Sequence, residues 1–92
     1  MIKRWRHKDL KNFYETGSKA GIQPKHVSTL RLLLLQLASA ITPEDMNTPG
    51  NDFHTLKGDL KNYYAIKVSG NWRIIFQFED RDAVLMDYLD YH

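Results

Sequence analysis

Cysteine is absent from this 92-residue chain, and proline (three) and glycine (five) are sparse. The lack of cysteine excludes disulfides, thiolate nucleophiles and cysteine-based metal centres, and makes a reducing cytoplasm the expected location. Long apolar runs are also missing. The longest, Leu32-Leu33-Leu34-Leu35, is far short of the roughly 20 residues that cross a bilayer, so no membrane partner is expected. The basic start, Met1-Ile2-Lys3-Arg4-Trp5-Arg6, is not followed by the apolar stretch of a signal peptide. No phosphate-cradling glycine loop, nucleophile elbow or dinucleotide fingerprint occurs. Nothing repeats, and no low-complexity linker divides the chain, so one domain over residues 1–92 is expected.

What is present describes a globular chain: 42% hydrophobic residues, with two Trp, five Tyr and four Phe. The net charge is +2, but it is unevenly spread. Residues 1–26 hold seven Lys/Arg against two acids, and residues 53–77 hold four against one. Residues 27–52 and 78–92 are acidic. If the fold brings the two basic quarters together, they form a surface suited to a polyanion. Ordinary solvated charge is the competing explanation.

The first part of the chain reads as helical. Ile2 to His7 is a short strand candidate, although Ile2 and Trp5 break strict alternation. Asp9 is placed to cap a helix. Leu10, Phe13 and Tyr14 then fall at helical spacing before Gly17, a natural stop. Pro24 suits the first turn of a second helix, whose apolar stripe is Val27, Leu30, Leu33, Leu34, Leu37 and Ile41. Leu32 and Leu35 fall about 140–200° away from that stripe at 100° per residue. Either the first helix covers them, which is the favoured expectation, or they form an exposed patch for a partner. Thr42-Pro43-Glu44-Asp45 signals one capped short turn, and residues 47–51 read as a loop.

From Phe53 the period changes to two. Short strands are expected over Phe53–Lys57, Tyr63–Val68, Trp72–Glu79 and from Val84 onward, with turns at Ser69-Gly70-Asn71 and Asp80-Arg81-Asp82. In the third of these, Trp72, Ile74, Phe76 and Phe78 point to the core and Arg73, Ile75, Gln77 and Glu79 point away. The fold class is therefore α+β: a mainly antiparallel, twisted sheet with two N-terminal helices packed on one face. The opposite face holds few large apolar residues and is expected to need no second layer.

That open face is expected to carry Arg73, His54, Lys57 and the ending Asp87-Tyr88-Leu89-Asp90-Tyr91-His92. Arg and Lys stabilise the charge of a pentavalent phosphate, imidazoles move protons near neutral pH, and tyrosine stacks on a base. RNA brings its own nucleophile, the 2′-OH, so a base, an acid and a cation suffice for cleavage. No metal site is favoured: His7 and His26 lack a ligand partner at helical spacing and read as surface histidines, and no spacing favours zinc among His54, Asp90 and His92. From the residues alone, an RNA-binding or RNA-cleaving domain and a protein-interaction module both remain open.

Five stretches stand out together: Met1-Ile2-Lys3, His54-x-Leu56-Lys57-Gly58, Tyr64-x-Ile66-x-Val68, Asn71-Trp72-Arg73-Ile74-x-Phe76 and the ending Asp87-Tyr88-x-Asp90-Tyr91-His92. In combination they resemble the HigB branch of the RelE/ParE toxins of bacterial toxin–antitoxin operons. The resemblance implies the RelE/ParE-like microbial RNase-type fold and a ribosome-dependent endoribonuclease. Such an enzyme cuts mRNA in the ribosomal A site, and no cofactor is implied. Its site positions fall on His54, Asp90, Tyr91 and His92 for catalysis and on Lys57 and Arg73 for the phosphate. His54 and His92 would be the proton-transfer pair, Asp90 would position or tune an imidazole, and Tyr91 would orient or stack on the substrate. The implied partners are a HigA-like helix-turn-helix antitoxin, the 70S ribosome with its mRNA, and operator DNA only through the antitoxin. The sequence departs from the family pattern at Thr55, where proline is expected, and at Leu89, where an acid is expected. Two alternatives share the fold: a ParE-like toxin that poisons DNA gyrase without catalysis, and an inactive antitoxin-binding corepressor.

Overall fold

The computed structural model describes residues 1–91. The element order is α1 (Lys8–Thr16), α2 (Val27–Ser39), β1 (His54–Thr55), β2 (Tyr64–Ser69), β3 (Trp72–Glu79) and β4 (Asp82–Asp90), with 3-10 turns at Pro24–His26, Pro43–Met46 and Gly58–Leu60. The four strands form an antiparallel sheet in the order β1-β2-β3-β4, an α+β arrangement with both helices on one face.

Helix α1 stops where expected. Gly17 takes the left-handed conformation (φ 80°) and its N–H returns to the Phe13 carbonyl. Its start differs from the sequence expectation. His7, not Asp9, is the N-cap: its Nδ1 accepts the Leu10 N–H at 3.0 Å. Asp9 lies in the first turn and packs against Gly21, where an added Cβ would collide with its carboxylate. In α2, Leu30, Leu33, Leu34 and Leu37 are buried, as their spacing predicts. Ile41 lies beyond the helix and is exposed. Thr42 and Asp45 form the expected capping box, and the Ile41 and Thr42 N–H groups hold the Asp45 carboxyl below the usual carboxylate range.

The main core lies between the helices and the sheet face that carries Ile66, Ile74, Phe76, Met86 and Tyr88. Burial of these side chains stabilises the fold by about 1.5–3 kcal/mol each before entropy is counted. A bulge interrupts β4. Ile75 pairs with Asp87 and Gln77 with Val84, so Leu85 and Met86 together oppose Phe76. Leu85 adopts φ 56°, a conformation that costs a branched residue about 1–2 kcal/mol. The bulge also explains the N-terminal pattern. Ile2 and Trp5 bridge in parallel to Ala83 and Met86, which are likewise three residues apart across the bulge and both face the core. The segment runs beside β4 through these isolated bridges and does not form the continuous strand expected over Ile2–His7.

The second face is not bare. Leu56, Tyr63, Ala65 and Ile75 form a small buried cluster, with Leu60, Leu85 and Leu89 packed against it. The segment between Leu56 and Tyr63, which contains the Gly58–Leu60 turn, folds over this face as a partial second layer. The expectation of an uncovered face missed it because Leu56, Leu60 and Tyr63 sit at strand ends and in a turn, where alternation says nothing.

His26 departs furthest from its expected place. It is 1% exposed, its Nδ1 lies 2.6 Å from the Tyr88 hydroxyl, and its ring meets Trp72 and Tyr88 edge-on. Burial pushes its pKa down, with a smaller effect from Lys25, and burial pushes the Tyr88 phenol up. A depressed histidine is neutral in both folded and unfolded chains above about pH 6.5. Below that, the unfolded chain takes the proton first, so stability falls as pH drops. We expect thermal stability to decline between pH 7 and pH 5. His26→Asn should lower stability by about 1–3 kcal/mol at pH 7 and flatten this decline, both read from unfolding curves across that range.

Candidate functional site

The path of the chain into β1 is set by Asn51, which is buried. Its side-chain amide donates to the Met46 carbonyl at 2.9 Å and to Gln36 Oε1 at 3.3 Å, and its main-chain carbonyl accepts the Lys67 N–H at 2.7 Å. The loop is thereby tied to α2 on one side and β2 on the other. Asp52 follows with φ 49° and turns the chain into the strand. Aspartate tolerates this left-handed region better than most residues because its short side chain bonds locally.

Asp52 then connects two of the residues that the sequence singles out. Its carbonyl lies 2.8 Å from His54 Nδ1, and its carboxylate lies 3.7 Å from Arg73 Nη2. A carbonyl only accepts, so His54 Nδ1 carries the proton in this bond, and Nε2 is the basic nitrogen of the neutral ring. Arg73 is held from the other direction as well. Its Nη1 donates to the Gly70 carbonyl at 2.7 Å and to the Trp72 carbonyl at 3.1 Å, so the guanidinium is folded against the β2–β3 hairpin. The Arg73 side chain is 14% exposed, and its Nε is buried with no hydrogen-bond partner among the described residues.

Strand register places these groups. His54 pairs with Ala65 and Ala65 with Ile75, whereas Lys67 pairs with Arg73 and Arg73 with Leu89. Paired residues share a face, so His54, Lys67 and Arg73 all belong to the second face. Lys57 lies three residues beyond His54, exposed, immediately before the Gly58–Leu60 turn. Asp90 pairs with Trp72, and the register therefore sets it on the helix-facing side, not on the Arg73 side where the sequence reading placed the terminal cluster. Tyr91 continues the pairing by one bond, its N–H donating to the Asn71 carbonyl at 2.8 Å, and its side chain is exposed. His92 lies outside the described residues.

The two basic quarters of the sequence meet only in part. Lys3 is bound to Asp82 at 3.0 Å and Arg4 to Glu79 at 2.8 Å, so those cations fasten the N-terminal segment to the ends of β3 and β4. From this segment Arg6 reaches Tyr63 on the second face: its Nη1 donates to the Tyr63 hydroxyl at 3.0 Å, and its guanidinium lies 5.9 Å from the ring centre. Among the described residues, no three His, Cys, Asp or Glu side chains are grouped so as to hold a metal ion.

The other side of the molecule offers a different surface. Leu32 and Leu35 are 68% and 57% exposed, so α1 does not cover them. Beside them, a groove of about 190 Å³ is lined by Phe13, Tyr14, Gly17, Arg31, Leu34 and Leu35.

The sequence reading did not single out Asp52 or Asn51. The available signal was a turn-forming Asn-Asp pair two residues before His54. Because Asp52 sits at φ 49°, Asp52→Asn and Asp52→Gly should fold with stability within about 1 kcal/mol of wild type. Asp52→Val should cost about 1–2 kcal/mol more. Chemical denaturation of the three variants checks this ranking.

Comparison with known proteins agrees with this architecture. The family model described as a RelE-like toxin of the type II toxin–antitoxin system HigB matches residues 3–92. The endoribonuclease HigB of Proteus vulgaris is 38% identical over 92 residues, covering all of both chains. The toxin HigB-1 of Vibrio cholerae serotype O1 is 34% identical over 94 residues, covering all of this chain and 98% of its own. A full-length match to the family model, together with two end-to-end relatives above 30% identity, places this chain in the HigB-like family of RelE-like type II toxins.

Proposed function

We propose that this protein is a ribosome-dependent mRNA endoribonuclease that acts in the cytoplasm as the toxin of its pair. The observation that carries the reading is the Asp52 bridge, which fixes His54 with Nε2 as its basic nitrogen and holds Arg73 on the same face. The relative from Proteus vulgaris, named an endoribonuclease and matched end to end, supports it.

In this reading an imidazole removes the 2′-OH proton. The O2′–P bond forms, the P–O5′ bond breaks, and a second acid gives a proton to the leaving 5′-oxygen. The products are a cyclic phosphate and a 5′-hydroxyl. His54 and His92 are the proton-transfer pair. Arg73 and Lys57 stabilise the charge that grows on the non-bridging oxygens. Tyr91 orients the substrate, and Asp90 acts from the end of β4. For Arg73 to meet a phosphate, its Nη2 must exchange the long 3.7 Å contact with Asp52 for the anion.

Replacing His54, Arg73 or His92 with alanine should lower cleavage of translated message by about 10²–10⁴-fold, read by mapping cut sites with and without ribosomes. Intact message together with gyrase-mediated DNA breaks would instead identify a gyrase poison. Wild type with neither effect would leave only the corepressor reading.

A type II toxin has an antitoxin, and the α1–α2 groove is its proposed docking surface. The occupant is an apolar segment of a helix-turn-helix antitoxin that covers Leu32 and Leu35. Leu32→Asp with Leu35→Asp should weaken antitoxin binding by more than about tenfold, the effect of losing a buried anchor. Calorimetry reads that loss, and message cleavage by the free toxin should be unchanged.

A further inference from the structure

The second face carries a cation that the proposed chemistry does not use. Lys67 lies on β2 directly opposite Arg73 on β3, and the two side chains share a face. Directly opposed residues have Cβ atoms about 4.5–5.5 Å apart, and like charges in such a pair repel. Asp52 directs its carboxylate toward Arg73 at 3.7 Å, and Asp87, opposite Ile75, sits one row away on the same face. Among the described residues, Lys67 makes no ion pair and is exposed. Two opposed cations with one distant carboxylate leave a net positive charge on that row.

The backbone at Lys67 is well defined. Its N–H donates to the Asn51 carbonyl at 2.7 Å, the bond that also seats the loop carrying Asp52. Lys67 is therefore built into the same frame as His54 and Arg73, and its side chain leaves that frame on the side where the RNA would lie. His54 sits one row away, paired to Ala65, two residues from Lys67 along β2. Two residues of strand are about 7 Å, within reach of an extended lysine.

We propose that Lys67 is a substrate-binding residue that takes an RNA backbone phosphate adjoining the one held by Arg73. The proposal rests on the endoribonuclease reading above. Adjoining phosphates, one at each side chain, offset the repulsion between the two cations, and the bound strand gains a fixed position relative to His54. Lysine acts here as a mobile point charge that needs no planar fork, which suits a phosphate not undergoing reaction. Base identity would not matter to this contact, so Lys67 contributes affinity and register without sequence preference.

The test compares Lys67→Ala, Lys67→Arg and Lys67→Glu with Lys19→Ala, an exposed lysine in the loop after α1. Two measurements are made: steady-state cleavage of message on ribosomes, and binding of a 2′-O-methyl RNA oligonucleotide at several salt concentrations. Lys67→Ala should raise KM and the oligonucleotide Kd by about 3–10-fold with kcat within twofold, and reduce the salt slope by about 0.7, the value for one single-strand phosphate contact. Lys67→Arg should retain binding, Lys67→Glu should lose more than Lys67→Ala, and Tm should be unchanged or higher once the repulsion is removed. If Lys67→Ala matches Lys19→Ala in KM and salt slope, or if its Tm falls by several degrees, the proposal is overturned while the endoribonuclease reading stands. If wild type leaves message uncut, that reading has failed first.

Discussion

A buried amide holds the two halves of this molecule in register. The Asn51 side chain satisfies the Met46 carbonyl and contacts Gln36 on α2, while its main-chain carbonyl accepts from Lys67 on β2. An unpaired amide in that position would cost about 1–3 kcal/mol, so the loop has one low-energy seat. Everything that matters on the second face is measured from it. Asp52 takes its left-handed turn there, and His54 and Arg73 are placed from Asp52. The 2-residue β1 strand could not do this alone, because it pairs with β2 at only His54 and Thr55.

The sheet separates two kinds of surface. Its helix-facing side is apolar, and it buries His26 with Tyr88 and Trp72 at one end. Its other side has a small apolar floor of Ala65 and Ile75 beneath charged groups that the fold leaves exposed or lightly paired. Of the acidic residues near the chain end, Asp87 lies on that side, opposite Ile75, whereas Asp82 and Glu79 are engaged elsewhere. Asp82 and Glu79 are occupied by Lys3 and Arg4, and these pairings hold both carboxyls below their usual range. The charge that remains on the second face comes from the β1–β3 region together with Arg6.

Much of the architecture was legible in the residues. The alternation from Trp72 to Glu79, the glycine after α1 and the capping box at Thr42 each specify local geometry through neighbours in sequence, and each appears as expected. What could not be read depends on what sits opposite. His26 looks like any surface histidine until Tyr88, 62 residues away, closes over it. Leu32 and Leu35 lie off the buried stripe, and α1, although it borders the groove that Leu35 lines, covers neither side chain. The link from His54 to Arg73 runs through the carbonyl and carboxylate of Asp52; the Asn-Asp pair hints at a turn there, but residue type does not say which side chains the turn joins. Pairing parity likewise set Asp90 beside Trp72, and that parity follows from a bulge which composition does not announce.

The Leu85–Met86 bulge therefore reaches well beyond its own two residues. It inserts a half-period into β4, so that every residue after it presents the side that an unbroken ladder would have assigned to its neighbour. Without the extra residue, Leu89 would turn toward the helices and Asp90 toward Arg73. Evolution in this part of the chain is thus quantised: single-residue insertions or deletions between Val84 and Asp87 would exchange the molecule's wet and dry sides over the final strand, whereas paired changes would preserve them. The orientation of the chain end is a question of odd or even count, settled by one leucine in an uncomfortable conformation.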